Sequence, residues 1–206
     1  ILVTQTPSFN IPSNIHFFQK VFNLKRKALA FDINQGCSGY LYGLSVCNSL
    51  MKTQKINSAA LITCDTYSSH ISTNNRTTRT IFGDGLTLTI LKRKNKGNNF
   101  LNFSLGSDAS GFENFKLEKN EIIMNGSEMY NFATNYVPSE VIKILKKTKL
   151  SKNQIKYFIF HQASKILLDS IQRKLNIPTE KFLRNLSDHG NTVSSTIPLI
   201  LHDLIN

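Results

Sequence analysis

The stretch from Ala28 to Lys52, ALAFDINQGCSGYLYGLSVCNSLMK, limits the possible folds of this chain more than any other. An apolar run with strand character, Ala28 to Ile33, breaks at Asn34-Gln35-Gly36. Helical spacing then begins at Ser38 and runs to about Lys52, with Cys37 at the junction. Such a strand–turn–helix unit presents the junction side chain at a helix N-terminus, where unpaired backbone N–H groups and the helix dipole favour an anion. The thiolate is the nucleophilic form of cysteine, so Cys37 is the candidate nucleophile and is expected to have a lowered pKa. The arrangement follows the logic of the hydrolase nucleophile elbow, with sulfur in place of oxygen. Gly36 and Gly39 permit a tight turn and close backbone approach. The competing reading is an ordinary buried cysteine.

The same alternation runs along the chain. Strands are expected at Ile1 to Thr4, Ala28 to Ile33, Ser58 to Cys64, Leu86 to Leu91, Phe100 to Ser107 and Tyr157 to Phe160. Helices are expected at Ile15 to Phe22, Ser38 to Lys52, Tyr130 to Lys147, Lys165 to Leu175 and Val193 to Ile205. Ser68 to Arg79 reads as a polar loop and Lys92 to Asn99 as a turn or linker. Strands alternating with helices indicate an α/β fold. GCSGYLYGLSVCNSL at Gly36 and GNTVSSTIPLILHDL at Gly190 share one pattern: glycine, small hydroxyl residues, then an apolar helix. The echo suggests two related halves.

Composition removes several classes. With 206 residues and 40% hydrophobic content, the chain can bury a substantial core. Three cysteines without a CxxC pair argue against a disulfide framework or a zinc site, and favour a reducing cytoplasm. No run of about 18 apolar residues occurs, so no membrane span is expected. The opening ILVTQTPSF reads as a start in mid-fold rather than a signal peptide. The net charge of +12 is scattered, with short clusters at Lys25-Arg26-Lys27, Lys92 to Lys96 and Lys146 to Lys149. No interleaved aromatic–basic stripe accompanies it, which argues against nucleic-acid binding and fits an acidic protein partner better.

Two further positions stand out. His161 ends the short apolar strand of YFIFHQAS, just before a helix. Asn191 lies between Gly190 and Thr192 in a polar turn that opens the last helix. Each also has a plain structural reading, as a strand-end histidine or a Gly-Asn turn. His70, His189, Cys47 and Cys64 read as structural or exposed.

DINQGCSGYLYGL, IFGDGLTLTIL, MNGSEMYNFA, HQAS and HGNTVSSTIP occur in the order found in the β-ketoacyl-acyl carrier protein synthase III family, which this chain resembles from Ile1 to Asn206. The resemblance implies a thiolase-like layered αβαβα fold of two similar halves, usually a homodimer. Residues 1–98 would belong to the N-terminal half with Cys37, and residues 99–206 to the C-terminal half with His161 and Asn191. Family members begin upstream of Ile1 and continue beyond Asn206. The resemblance therefore implies a chain truncated at both ends, without a glycine whose N–H partners that of Cys37 in an oxyanion hole. Such a chain is expected to be inactive by itself.

The implied reaction starts with acyl transfer to Cys37. A malonyl thioester then loses carbon dioxide, and the resulting carbanion attacks the acyl group. His161 and Asn191 match the family's donors to the enolate oxygen, each such donor typically contributing about 10²–10³ in rate. Asparagine at the second position resembles initiating synthases and plant-type polyketide synthases. The substrates would be acyl-coenzyme A or acyl carrier protein thioesters, with no permanently bound cofactor and no metal. Many bacterial relatives carry basic docking residues where this chain has Asn131 and Ile166; Lys165, Arg173 and Lys174 are the candidates to replace them. The alternatives are an acyltransferase that passes the Cys37 acyl group to an amine or hydroxyl, and a non-catalytic thiolase-like partner subunit.

Overall fold

The structure, a computed structural model, describes residues 1–93 and 102–205. In chain order its elements are β1 (Leu2–Val3), α1 (Ile15–Val21), β2 (Asp32–Ile33), α2 (Gly39–Thr53), β3 (Ser58–Asp65), α3 (Arg76–Arg79), β4 (Gly85–Lys92), β5 (Phe115–Glu118), β6 (Glu121–Met124), α4 (Gly126–Thr148), β7 (Phe158–Ile159), α5 (Lys165–Leu175), β8 (Phe182–Leu183), α6 (Leu186–His189) and α7 (Thr196–Ile205). They group into two compact units that the chain visits alternately: Ile1–Thr66, Asp84–Asn99 and Thr192–Asn206 form the first, Tyr67–Gly83 and Phe100–Asn191 the second. The boundary expected at 98/99 lies outside the described residues.

In the first unit four strands form one sheet in the order β2-β1-β3-β4. β1 runs parallel to β2 and β3, and β4 runs antiparallel to β3 from Ser58↔Lys92 to Asp65↔Gly85. Val3 and Leu61 are wholly buried, as expected where a helix covers a parallel sheet. The covering helix is α2, and its glycines let it come close. A Cβ on Gly39 would run into Val3 Cγ1, and one on Gly43 would lie 2.5 Å from Leu61 Cδ1. Asp32 joins β2 to α1 by accepting from the backbone N–H groups of Asn14 at 2.6 Å and Ile15 at 2.9 Å, donors that the start of a helix leaves unpaired.

β4 alternates in an unusual sense. Its threonines turn inward, while Leu86, Leu88 and Ile90 are exposed at 58%, 51% and 53%. The inner face is polar because hydroxyls fill it. Thr63 Oγ1 lies 2.6 Å from Thr87 Oγ1 and 2.7 Å from Ser195 Oγ, and the Tyr40 hydroxyl lies 3.3 Å from Thr89 Oγ1.

The second unit is built on α4 and α5. Leu168, Ile171 and Leu175 of α5 pack with Phe158, Ile177 and Phe182, and Val137 and Val141 of α4 close that core. Both helices start at side-chain caps: Asn125 accepts from the Glu128 N–H and Ser164 from the Leu167 N–H. Both end at a left-handed residue, Lys149 and Asn176. β7 and β8 pair in parallel, and β5 and β6 form a hairpin.

The structure corrects several sequence expectations. Only Asp32–Ile33 of the expected Ala28–Ile33 strand pairs. Of the expected strand from Phe100 to Ser107, residues 102–107 form none; Phe103 and Ser104 instead bond to Lys147 and Glu140 of α4. Residues 100 and 101, like most of the Lys92 to Asn99 segment, lie outside the described residues. The polar stretch Ser68 to Arg79 holds a 3-10 turn over Tyr67–His70 and the short α3. The last helix begins as a 3-10 turn at Val193–Ser195 before α7. The β5–β6 hairpin is absent from the sequence expectations because its turn is Lys119-Asn120, with both φ angles positive at 47° and 66°, rather than the usual Asn-Gly signal.

Candidate active site

Cys37 sits in the turn between β2 and α2, two residues before the first helical residue, as the sequence suggests. Its electrostatics are opposite to expectation. Burial pushes the thiol up to about 12, the Asp65 carboxylate pushes in the same direction, and the cysteine's own backbone N–H pulls it down. Desolvation disfavours the thiolate more than the helix start favours it, so the resting group is a thiol. A lowered pKa does not hold for this site. Cys47 and Cys64 are also raised, first by burial.

Asp65 has no counterpart among the sequence expectations. It ends β3 with none of its surface exposed. Its Oδ1 accepts from Gln5 N–H at 2.8 Å, and its Oδ2 accepts from both the backbone N–H (3.2 Å) and the hydroxyl of Ser194. Burial raises its pKa above the usual carboxylate value, and these donors offset only part of that rise. The signal for Asp65 is AALITCD, an apolar strand that ends in an acid, because a buried acid at a strand end needs built partners. Next to this carboxylate Val193, wholly buried, adopts φ 55°, a strained value for a β-branched residue. Gly85 makes room there: a Cβ on it would lie 2.7 Å from Thr192 Cβ and 2.9 Å from Ser195 Cβ.

In the second unit the structure brings Asn191 to the segment that follows His161. Asn191 is 3% exposed; its Nδ2 donates to Ala163 O at 3.5 Å, and its backbone bridges to Phe82. The bridge is held by Asn191 N–H to Ile81 O at 3.1 Å and Gly83 N–H to Asn191 O at 3.0 Å. Gly190, at φ 66° and ψ −159°, turns the chain into position with a backbone only glycine adopts readily. His161 lies in the link between β7 and the Ser164 cap of α5, and its Nε2 is buried. Gln162, also wholly buried, fixes that link by donating to Phe160 O at 2.8 Å and accepting from Asn185 N–H at 3.2 Å. IFGDG and HQAS thus have a structural reason to accompany HGNT.

The three basic candidates differ in what they do. Lys165 pairs with Asp169 at 2.9 Å at the start of α5. Lys174 Nζ donates to Thr134 O at 2.9 Å, tying α5 to α4. Arg173 is exposed on the same helix. Ile166 is 71% exposed beside them. Among the described residues, no cluster of three His, Cys, Asp or Glu side chains could hold a metal ion, and no helix is long and apolar enough to cross a membrane.

The mixed-sheet unit, with a cysteine ahead of its covering helix, belongs to a thiolase-like fold. A solved 3-oxoacyl-(acyl-carrier-protein) synthase III superposes with a TM-score of 0.95 at 31% identity, covering 99% of this chain and 68% of that one. The Pseudomonas aeruginosa enzyme of the same title gives 0.93 at 28% identity, with 99% and 66% covered. Residues 31–109 match the family described as 3-oxoacyl-[acyl-carrier-protein] synthase III, and residues 145–206 match its C-terminal family. Beta-ketoacyl-[acyl-carrier-protein] synthase III of Prochlorococcus marinus subsp. pastoris is 33% identical, over 100% of this chain and 66% of its own length. The Clostridium botulinum protein of that name is 34% identical over 99% of this chain and 67% of its own length. The chain belongs to the β-ketoacyl-acyl carrier protein synthase III family, and it spans about two thirds of the length of these relatives.

Proposed function

We propose that the protein is a decarboxylating condensing enzyme in which Cys37 accepts an acyl group and His161 and Asn191 stabilise an enolate. The carrying observation is a family match that includes Cys37, His161 and Asn191, joined to a cysteine held ahead of a 15-residue helix. In the first step the Cys37 sulfur attacks the carbonyl of an acyl thioester. Its proton passes to the departing thiol of coenzyme A or the carrier. A malonyl thioester then loses carbon dioxide, and the α-carbon of the thioester enolate left behind attacks the acyl carbonyl. Cys37 leaves as thiolate and takes up a proton from solvent to return to the thiol, and a β-ketoacyl thioester forms.

A resting thiol fits the first step, because no charged sulfur has to be kept in a buried place between turnovers. His161 and Asn191 can each offer an N–H to the enolate oxygen, the type of interaction that lowers such barriers most. The names of the relatives support acyl carrier protein as a partner. Arg173 is the most available docking cation, with Lys165 and Lys174 already engaged in the unit. In this reading the halves 1–98 and 99–206 are family halves, the enzyme is a cytoplasmic homodimer, and its product enters fatty-acid or related lipid synthesis.

The test uses the full-length protein. Incubation with a short acyl-coenzyme A should add one acyl mass to the Cys37 peptide, and addition of a malonyl thioester should then release carbon dioxide and discharge that label. Acylation of Cys47 or Cys64 instead would overturn the assignment. Acylation discharged by an amine or hydroxyl, with no decarboxylation, would establish the acyltransferase alternative.

A further inference from the structure

In the second unit a depression of about 440 Å³, a size that takes a small ligand, opens between the last turns of α4 and α5. The way α4 ends builds its floor. Lys149 stands in the left-handed conformation at φ 56°, and the Leu150 N–H reaches back to Leu145 O at 3.1 Å. Such a closure brings the apolar residue after a helix back over its last turn. Leu145 and Leu150 share the floor with Leu175, which is buried, and Ile142, which is 46% exposed. The rim is cationic: Lys146, Lys149, Lys152 and Lys174 line it, and among the described residues no acidic or aromatic side chain does. Two of these ammonium groups are fixed. Lys152 Nζ donates to Leu175 O at 2.7 Å and Lys174 Nζ to Thr134 O at 2.9 Å, and both keep N–H groups to donate elsewhere. Lys146 and Lys149 are exposed and enter no ion pair among the described residues. Each helix end contributes about half a negative charge. Four ammonium groups exceed that, so the rim stays positive.

We propose that this depression binds a free fatty acid, with the acyl chain on the aliphatic floor and the carboxylate among the lysines. An aliphatic floor suits a flexible chain, whereas a nucleotide or other flat ring stacks best on an aromatic or guanidinium face. The rim repels a cation and suits an anion that accepts N–H bonds from more than one ammonium group. A docked helix uses apolar contacts at successive turns along a groove, but here they are gathered at one helix end. A chain laid against Ile142 takes exposed apolar surface out of water, which adds to the attraction of the rim. The site uses none of Cys37, His161 and Asn191, so it stands or falls apart from the condensation reaction.

The test uses the full-length protein and dodecanoate carrying a diazirine, kept below its micelle concentration. Photolysis and peptide mass spectrometry should show saturable label within residues 142–152, displaced by excess plain dodecanoate. Peptide mapping keeps this label apart from any at the Cys37 site. Dodecanol, with the same chain and no charge, should compete at least about tenfold more weakly. The double change Lys146→Glu and Lys149→Glu should weaken labelling about tenfold or more, because two exposed cations become anions. Ile142→Asp, at an exposed position of the floor, should weaken it through the chain instead. Thermal melts establish that both variants are folded. Absence of label from 142–152 in the parent overturns the proposal, and so does equal displacement by dodecanol or full labelling in the folded variants. Protection of the segment from hydrogen exchange by unacylated acyl carrier protein or by anionic vesicles, with no dodecanoate label there, would make it a docking surface and reject the fatty-acid site.

Discussion

The Asp65 carboxylate accepts both the backbone N–H and the hydroxyl of Ser194, 129 residues further along the chain. This twofold attachment of a buried acid to one serine ties the end of β3 to the start of the last helix. It makes the turn after Asn191 a fixed part of the first unit's sheet.

The raised pKa of Cys37 sets a pH dependence. Its alkylation rate should climb about tenfold per pH unit from about pH 7 to 10 with no plateau, whereas an ordinary thiol levels off near 9.0. The folded thiol binds its proton more tightly than the unfolded one. Its contribution to stability is therefore complete below about pH 9 and is lost as pH rises toward about 12. Replacing Cys37 by Ala should remove that part of the alkaline slope in denaturant titrations. A plateau below about pH 9 would show that the helix start outweighs burial.

His161→Ala and Asn191→Ala should each leave acylation of Cys37 measurable while cutting malonyl decarboxylation by about 10²–10³. Mass spectrometry of the acyl-enzyme and carbon dioxide release read the two steps separately. Equal loss of both steps would place these residues in thiol activation instead.

Gly43→Ala should lower stability by about 1–3 kcal/mol, because its Cβ would meet Leu61 Cδ1 at 2.5 Å in a packed core. Gly126→Ala, where no described atom lies within 4 Å at the start of α4, should be neutral or stabilising by up to about 1 kcal/mol. Thermal melts of the two proteins check both, and equal shifts would contradict the packing of α2 on β3.

Thr63→Val removes the hydroxyl shared by Thr87 and Ser195 and leaves two inward hydroxyls short of a partner. The expected loss is about 1–3 kcal/mol, although valine suits a strand at least as well as threonine. A variant as stable as the parent would mean that the polar inner face of β4 contributes nothing.

The hairpin turn at Lys119 and Asn120, both at positive φ, should accept the paired changes Lys119→Asn and Asn120→Gly with a gain of roughly several tenths of a kcal/mol. A melt of the double variant measures it, and a loss of stability would mean that the turn needs the Lys119 side chain.

Helices α2 and α5, the cysteine at the head of α2 and the five motifs in family order are all legible in the amino-acid string. These features are local or linear: apolar spacing, a break at Asn34-Gln35-Gly36, and short words in a fixed order. The β5–β6 hairpin is hidden there because positive φ at Lys119 and Asn120 is a backbone property that their side chains barely announce. The state of Cys37 is a tertiary matter. A helix start is legible in sequence, but desolvation depends on what surrounds the sulfur, and here burial and Asp65 reverse the expected direction. A buried acid at the end of β3 is hinted at by AALITCD, but the partners of Asp65 are out of reach of the string, since they are set by chain crossings rather than by neighbours in sequence. β4 shows the same limit: its alternation is readable, but its threonines face inward because the hydroxyls of Thr63 and Tyr40, brought from other elements, meet Thr87 and Thr89 there.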